Sequence, residues 1–472
     1  FNDALGWTHT VNTIDGWDAY ALTPADDGYR FGNEVRAFEI ETKTLKVKQP
    51  DGALRDEPLT VRRSVHGPVI AERDGKPIAL RVVGVEQALV TGCLEQWWDM
   101  GRARNLEAFE AALRRMQLPM FNVLYADRDG HILALFAGRV PKRSRGDWAF
   151  WSGIVPGDDP ALVWTDTLPY DALPRLVDPA SGWVQNANEP PWTTTLPLPF
   201  HPADFPPYMA PPFGDDGPSF RAQRSMRMLV EAPRFTFDRL IDDANATAVE
   251  MAARVLDDLL VAARRSGGDV ARRAADVLAA WDRRTEADSR GAALFVLWGE
   301  AARSQAQADG RSLLAVPWIE EAPLTTPAGL ADPAAAVAAL EAAARKAEAT
   351  FGALDVAWGD AARLRYGAVD LPAVGGPGDP FGIFRTVSLA PDQDGRFRAI
   401  AGDGFIAAVE FADPVRARVL LTYGNATQPG SPHIGDQLAL FARKEMRLAW
   451  RTRAEIEAHL AAREWFPAPS RQ

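Results

Sequence analysis

Asp15 and Asp18 sit in one short turn, Asp15-Gly16-Trp17-Asp18, and invite a metal reading. Two carboxylates and a backbone carbonyl of such a turn are hard oxygen donors of the kind calcium takes, and Asp204, from a long loop, is a candidate third carboxylate. The same residues suit a turn closed by Asx hydrogen bonds. Asn188, shortly before Pro190-Pro191, reads by type as a turn residue. Arg221, Arg224 and Arg227 recur at every third position of a helix start, as on a solvated face. The six histidines, His9, His66, His131, His201, His433 and His459, have no metal-ligand spacing. There is no G-x-S-x-G elbow, no phosphate loop and no H-E-x-x-H. The chemistry left to the chain is that of amides, carboxylates and guanidinium groups.

These residues need a scaffold, and the pattern predicts a mostly β one around the turn. Apolar, β-branched and polar residues interleave around Trp7, Thr8, Thr10 and Val11, which suits a half-buried strand. The next strand, Ala19-Tyr20-Ala21-Leu22, starts directly after the turn. Phe38 to Val47 alternates, Asp51-Gly52 turns, and Leu59 to Arg63 returns as the second arm of a hairpin. A helix over Asn105 to Met116 places Leu106, Phe109 and Leu113 on one face. Residues 138–218, rich in Pro, Gly, Trp and Asp, read as long ordered loops with short strands, because so many aromatic side chains do not suit a disordered linker. Helical patterns then run over Ala248 to Arg265, Val270 to Arg284, Ala293 to Asp309 and Ala334 to Thr350. Strands return at Thr386 to Leu389, Gly404 to Phe411 and Ala417 to Tyr423, and a last helix is expected at Arg453 to Ala462. Strands, helices, then strands imply that the two β regions join one sheet system around a helical insertion.

Composition sets outer bounds. A chain of 472 residues, 47% hydrophobic and 24% charged, can bury a sizeable core and form two or three domains. Its net charge of −11 argues against nucleic acid or an anionic membrane as the main partner. Cys93 is the only cysteine, so no intrachain disulfide can form. No apolar run is long enough for a membrane span.

Six local patterns resemble, in order, those of the β subunit of penicillin acylase-type N-terminal-nucleophile hydrolases. They are Gly6-Trp7-Thr8-His9-Thr10-Val11-Asn12 with Asp15 and Asp18; Val65-His66-Gly67-Pro68-Val69; Asn122 through Tyr125-Ala126-Asp127 with Gly130-His131-Ile132; Gln185-Asn186-Ala187-Asn188; Arg221-Ala222-Gln223-Arg224; and Gly424-Asn425 through Ser431-Pro432-His433 with Asp436-Gln437. The likeness is greatest to the acyl-homoserine-lactone acylase and aculeacin acylase branch. It implies an α+β fold, an αββα sandwich of two stacked, mostly antiparallel sheets flanked by helices. The expected parts are residues 1–218 as the first part of the core, 219–352 as a helical insertion, and 353–472 as returning strands with a C-terminal helix.

The resemblance also implies the chemistry. An N-terminal Ser attacks an N-acyl amide carbonyl and its own α-amine takes the proton, with no catalytic cofactor. Phe1 is no nucleophile, so the nucleophile is expected on a preceding β segment, and that segment and the α subunit become expected partners. The oxyanion donors carried over are the backbone N–H of Val11 and the side-chain amide of Asn188, with Arg221 orienting Asn188. Trp97, Met120 and Phe121 match positions in the wall of the acyl pocket. Asp15, Trp17 and Asp18 match part of the family's structural calcium site. Acyl-homoserine lactones are the expected substrates, with β-lactam or lipopeptide side chains as alternatives within the class, and the location is expected to be periplasmic or secreted. The rival expectation is a non-catalytic binding or structural member of the same fold.

Overall fold

The computed structural model describes residues 1–84, 92–232 and 234–465. They form two compact units, Phe1–Ala232 with Leu314–Ala331, and Pro233–Leu313 with Asp332–Gln472.

The first unit holds two larger sheets, beside a three-stranded and a two-stranded one. A four-stranded antiparallel sheet orders Leu5–Thr10, Met120–Asp127, Ile132–Gly138 and Arg175–Val177. A six-stranded sheet orders Ile154–Pro156, Trp17–Ala21, Lys76–Val82, Gly67–Arg73, Leu54–Ser64 and Glu39–Lys48. Leu5, Val123, Leu133 and Leu135 from the first sheet share one buried cluster with Tyr20 and Ala79 from the second. The expected hairpin therefore exists, and it runs on into a wider sheet.

Side-chain alternation divides the work of the four-stranded sheet, because successive residues of a strand face opposite sides. Trp7 lies opposite Tyr125, and both stack on Phe109 at ring-centroid distances of 5.5 and 4.8 Å. Phe109 belongs to the helix Leu106–Leu113, whose start is fixed by Asn105 accepting from the Ala108 N–H at 2.9 Å. A second helix, Cys93–Arg102, precedes it and was not foreseen. Its inward residues Cys93, Gln96 and Met100 are spaced for one helical face, but the exposed Trp98 and the partly exposed Trp97 hide that periodicity.

The long stretch 138–218 is ordered by its aromatics, as expected. Trp151 and Trp192 are buried, and the backbone between them is short strands and single 3₁₀ turns. The helix Phe220–Glu231 follows, capped by the Ser219 hydroxyl, which accepts from the Ala222 N–H.

In the second unit, the helices Glu250–Ser266, Asp269–Ala280, Ala292–Ala308 and Pro333–Phe351 lie close to their expected bounds. Pro333–Phe351 shows why: Asp332 caps it, Pro333 opens it, and Gly352 closes it at φ 78°. The strands of this unit pair within it. Val369–Pro372, Ala362–Tyr366, Phe397–Gly402 and Val387–Pro391 make one sheet, and Phe405–Glu410, Arg416–Leu421 and Arg447–Leu448 another. Order along the chain suggested one sheet system for both β regions; the hydrogen-bonded ladders described here each stay within one unit.

Candidate active site

Strand Leu5–Thr10 pairs with Met120–Asp127 in a register that sets Thr10 opposite Asn122. Asn122 is buried, and its Nδ2 donates to Asn186 Oδ1 at 2.8 Å. Asn186 Oδ1 also accepts from the Asn188 backbone N–H at 2.7 Å. Asn186 Nδ2 donates to the Glu189 carbonyl at 3.1 Å, so this one side chain closes the loop around residue 188. Asn188 consequently adopts φ 64°. That left-handed conformation costs most residues about 1–2 kcal/mol, and Asn is among those that tolerate it best.

The Asn188 amide is held at both ends. Its Nδ2 donates to the Val11 carbonyl at 3.0 Å, and its Oδ1 accepts from Arg221 Nη2 at 3.1 Å. Arg221 has only donors, so oxygen must face it, and the amide has one assignment. The second N–H of Nδ2 is not used by the Val11 bond. The guanidinium also donates to the Ala187 carbonyl at 2.7 Å. A cation on the amide oxygen draws electrons from the nitrogen and strengthens its N–H as a donor. Val11, just past the last ladder residue, is 56% exposed, and Asn188 is exposed as well. The arrangement can present fixed dipoles to an oxygen that gains charge.

The opposite face of the same two strands carries an aromatic wall. His9 packs against Phe121, tilted, at 4.6 Å between ring centroids, and Trp97 lies 6.2 Å from Phe121. Trp97 Nε1–H donates to His9 Nε2 at 2.9 Å. An indole N–H only donates, so His9 is neutral, with its proton on Nδ1. Burial agrees, holding the His9 pKa down to about 4. Helix Cys93–Arg102 aims Trp97 at this wall because Gln96 Oε1, on its buried side, accepts from the Gln117 N–H at 2.7 Å. That bond ties the helix to the segment leading into strand Met120–Asp127. Met120 opens this strand, half-buried beside Phe121.

The family model for penicillin amidase matches residues 1–458. The chain belongs to the penicillin amidase family. The acyl-homoserine lactone acylase PvdQ of Pseudomonas fluorescens is 28% identical over 97% of this chain and 62% of its own length. The chain thus spans less than two thirds of that relative. Penicillin acylase 2 proenzyme from a Pseudomonas species is 31% identical over 52% of this chain and 29% of its own length. A thermostable penicillin G acylase from Alcaligenes faecalis matches in structure with a TM-score of 0.69 at 18% identity, covering 100% of this chain and 90% of that one. This likeness establishes the fold, that of the N-terminal-nucleophile hydrolases.

The residues expected to hold calcium do not fit a metal ion. Asp15 and Asp18 do converge, but on the guanidinium of Arg143, within 2.9 Å of each. The backbone carbonyl that joins them is that of Asp15, at 3.0 Å from Arg143, in place of the expected Trp17 carbonyl. Among the described residues no three His, Cys, Asp or Glu side chains are grouped as metal ligands, so Asp204 is not gathered with the pair. A charge at the centre of the cluster is already supplied by the protein.

Thus Val11, Asn188 and Arg221 are brought together, as are Trp97 and Phe121 beside Met120. Sequence reasoning missed Asn122, Asn186 and Arg143. The first two lay inside the quoted motifs, and their polarity in a buried strand and a loop was the available signal. Arg143, among Lys142, Arg143 and Arg145, carried none.

Proposed function

We propose that this chain carries the oxyanion-binding and acyl-binding parts of an N-acyl amide hydrolase. The observation that carries the reading is the Asn188 amide, clamped between Arg221 and Val11. In this reading the Val11 N–H and the free Asn188 N–H receive the carbonyl oxygen as it becomes negative. The nucleophile is an N-terminal Ser, Thr or Cys outside these 472 residues, in keeping with the greater length of the relatives. Its α-amine, with an ordinary pKa of about 7.7–8.0, is substantially neutral near pH 8 and accepts the proton. The acyl-enzyme forms as the amine leaves, and water then releases the acid. The acyl chain lies against Trp97 and Phe121 with Met120, where each buried methylene contributes about 0.8 kcal/mol.

Acyl-homoserine lactones are the proposed substrates, supported by the name of the relatives matching 97% of the chain. Penicillin side chains are a second reading, favoured by the relative that is 31% identical over 52% of the chain. The partners proposed are an α subunit and the segment with the nucleophile. The test is to assay the whole purified protein, with its accompanying polypeptides, on acyl-homoserine lactones and penicillins. Release of free amine from either class, faster from the lactones, is expected. No turnover of any N-acyl amide by correctly processed protein would overturn the reading.

A further inference from the structure

The cluster around Arg143 has the form of a cation site whose cation is a side chain. Nitrogen Nη2 of Arg143 lies 2.9 Å from Asp18 Oδ1, 2.9 Å from Asp15 Oδ2 and 3.0 Å from the Asp15 carbonyl. Three oxygens from one turn thus surround a single nitrogen. Nε of the same group donates to Asp18 Oδ2 at 3.2 Å, and Trp164 Nε1–H donates to that oxygen at 2.5 Å. The Arg143 and Asp18 side chains are 0% exposed and that of Asp15 is 10% exposed. Asp15 Oδ2 is held by the Arg143 guanidinium at 2.9 Å. Arg143 also lies near two aromatic rings, with its guanidinium carbon 4.8 Å from the Trp151 ring centroid and 5.5 Å from that of Tyr208. A planar, weakly hydrated guanidinium suits such a slot better than an ammonium does. Arg81, opposite Asp18 in the strand register, supplies a second positive charge, so two carboxylates face two guanidinium groups.

We propose that Arg143 is the resident cation of this turn and takes the structural place of a divalent ion, which the protein does not require. Removing the guanidinium while leaving the oxygens would turn the cluster into a calcium site. The oxygens need to close by only about 0.3–0.7 Å to reach calcium–oxygen distances of about 2.3–2.6 Å, with water completing the shell.

The experiment is thermal unfolding of the whole protein with EDTA and with millimolar calcium, together with elemental analysis. The wild type is expected to have the same Tm in both and to contain no stoichiometric metal. Arg143→Ala is expected to lose roughly 6–15 °C in EDTA, because a buried charge pair is broken, and to regain several degrees in calcium. Arg143→Lys keeps the charge without the fork. It is expected to lie between the two and to ignore calcium, which keeps the test decisive if the alanine variant fails to fold. A wild type that loses Tm on chelation, an Arg143→Ala protein indifferent to calcium, or an Arg143→Lys protein stabilised by it would overturn the proposal.

Discussion

At the scale of single residues, the candidate site is a problem of aiming one amide. The Asn188 amide is fixed by Arg221 on its oxygen and Val11 on one of its hydrogens, so in the proposed reaction it would need little reorganisation as charge develops. Asn188→Ala should lower kcat by roughly 10²–10³, with a much smaller change in KM, because the interaction strengthens in the transition state. Steady-state kinetics on the best acyl-homoserine lactone tests this, and a folded variant with normal kcat would return Asn188 to the role of a turn residue. Asn186 acts through Asn188: its Oδ1 holds the Asn188 N–H at 2.7 Å and also takes Asn122 Nδ2. Asn186→Ala should therefore reduce kcat by about tenfold, as expected for roughly 1.4 kcal/mol of lost aiming. Asn186→Asp keeps the acceptor and should recover part of that loss. If the two variants are equally impaired, the acceptor is not what matters.

At the scale of elements, two strands serve two purposes by alternation. His9 and Phe121 face the Cys93–Arg102 helix, while Thr10 and Asn122 face the Asn186 loop. A one-residue slip would exchange the faces, so the register is held by both. Phe121→Ala should change which acyl length is preferred more than it changes turnover of the best substrate. The cavity it leaves admits a longer or bulkier chain, while the amide network on the other face is untouched. A kcat/KM series over acyl lengths decides the matter: parallel losses at every length would mark Phe121 as core alone.

At the scale of the whole molecule, buried histidines couple stability to pH. His66 is fully buried between Tyr20, Tyr29 and Phe31, and burial, with help from Arg81, holds its pKa down to about 4. His9 is held down to about 4 as well. Folding favours the neutral ring, so the stability they contribute is intact above about pH 6.5 and is lost as pH falls toward 4. Asp15 opposes them, because burial pushes its pKa up to about 6 and its protonation favours the folded state as pH falls. Urea midpoints measured between pH 7.5 and 4.5 should fall, and His66→Phe should flatten the decline relative to its own value at pH 7.5. An unchanged slope would mean that His66 does not titrate on unfolding. In the second unit, the fully buried Arg385 bonds Asn245 and the carbonyls of Val374 and Phe441, knitting one helix end to a loop and to the helix Leu438–Ala442.

Local signals carried much of the protein. The Pro333–Phe351 helix could be drawn from Asp332, Pro333 and Gly352, and the hairpin from its alternation and Asp51-Gly52, because caps and turns are decided within a few residues. The motif order was likewise enough to place the chain in its family, and it named Val11, Asn188 and Arg221, which the fold does bring together. What only the tertiary structure decided are the partners. Arg143 reaches Asp15 and Asp18 across more than a hundred residues, and nothing near it in sequence distinguishes it from Lys142 or Arg145. Asn186 meets Asn122 only because one strand register and one loop converge. The helix Phe220–Glu231 looked like the start of the helical insertion, yet it belongs with the first unit, where Arg221 meets Ala187 and Asn188. Residue type and period fix a local conformation, whereas which charge neutralises which is set by distance in space. At two or three ångströms inside a poorly screened interior, that distance outweighs anything the neighbouring sequence encodes.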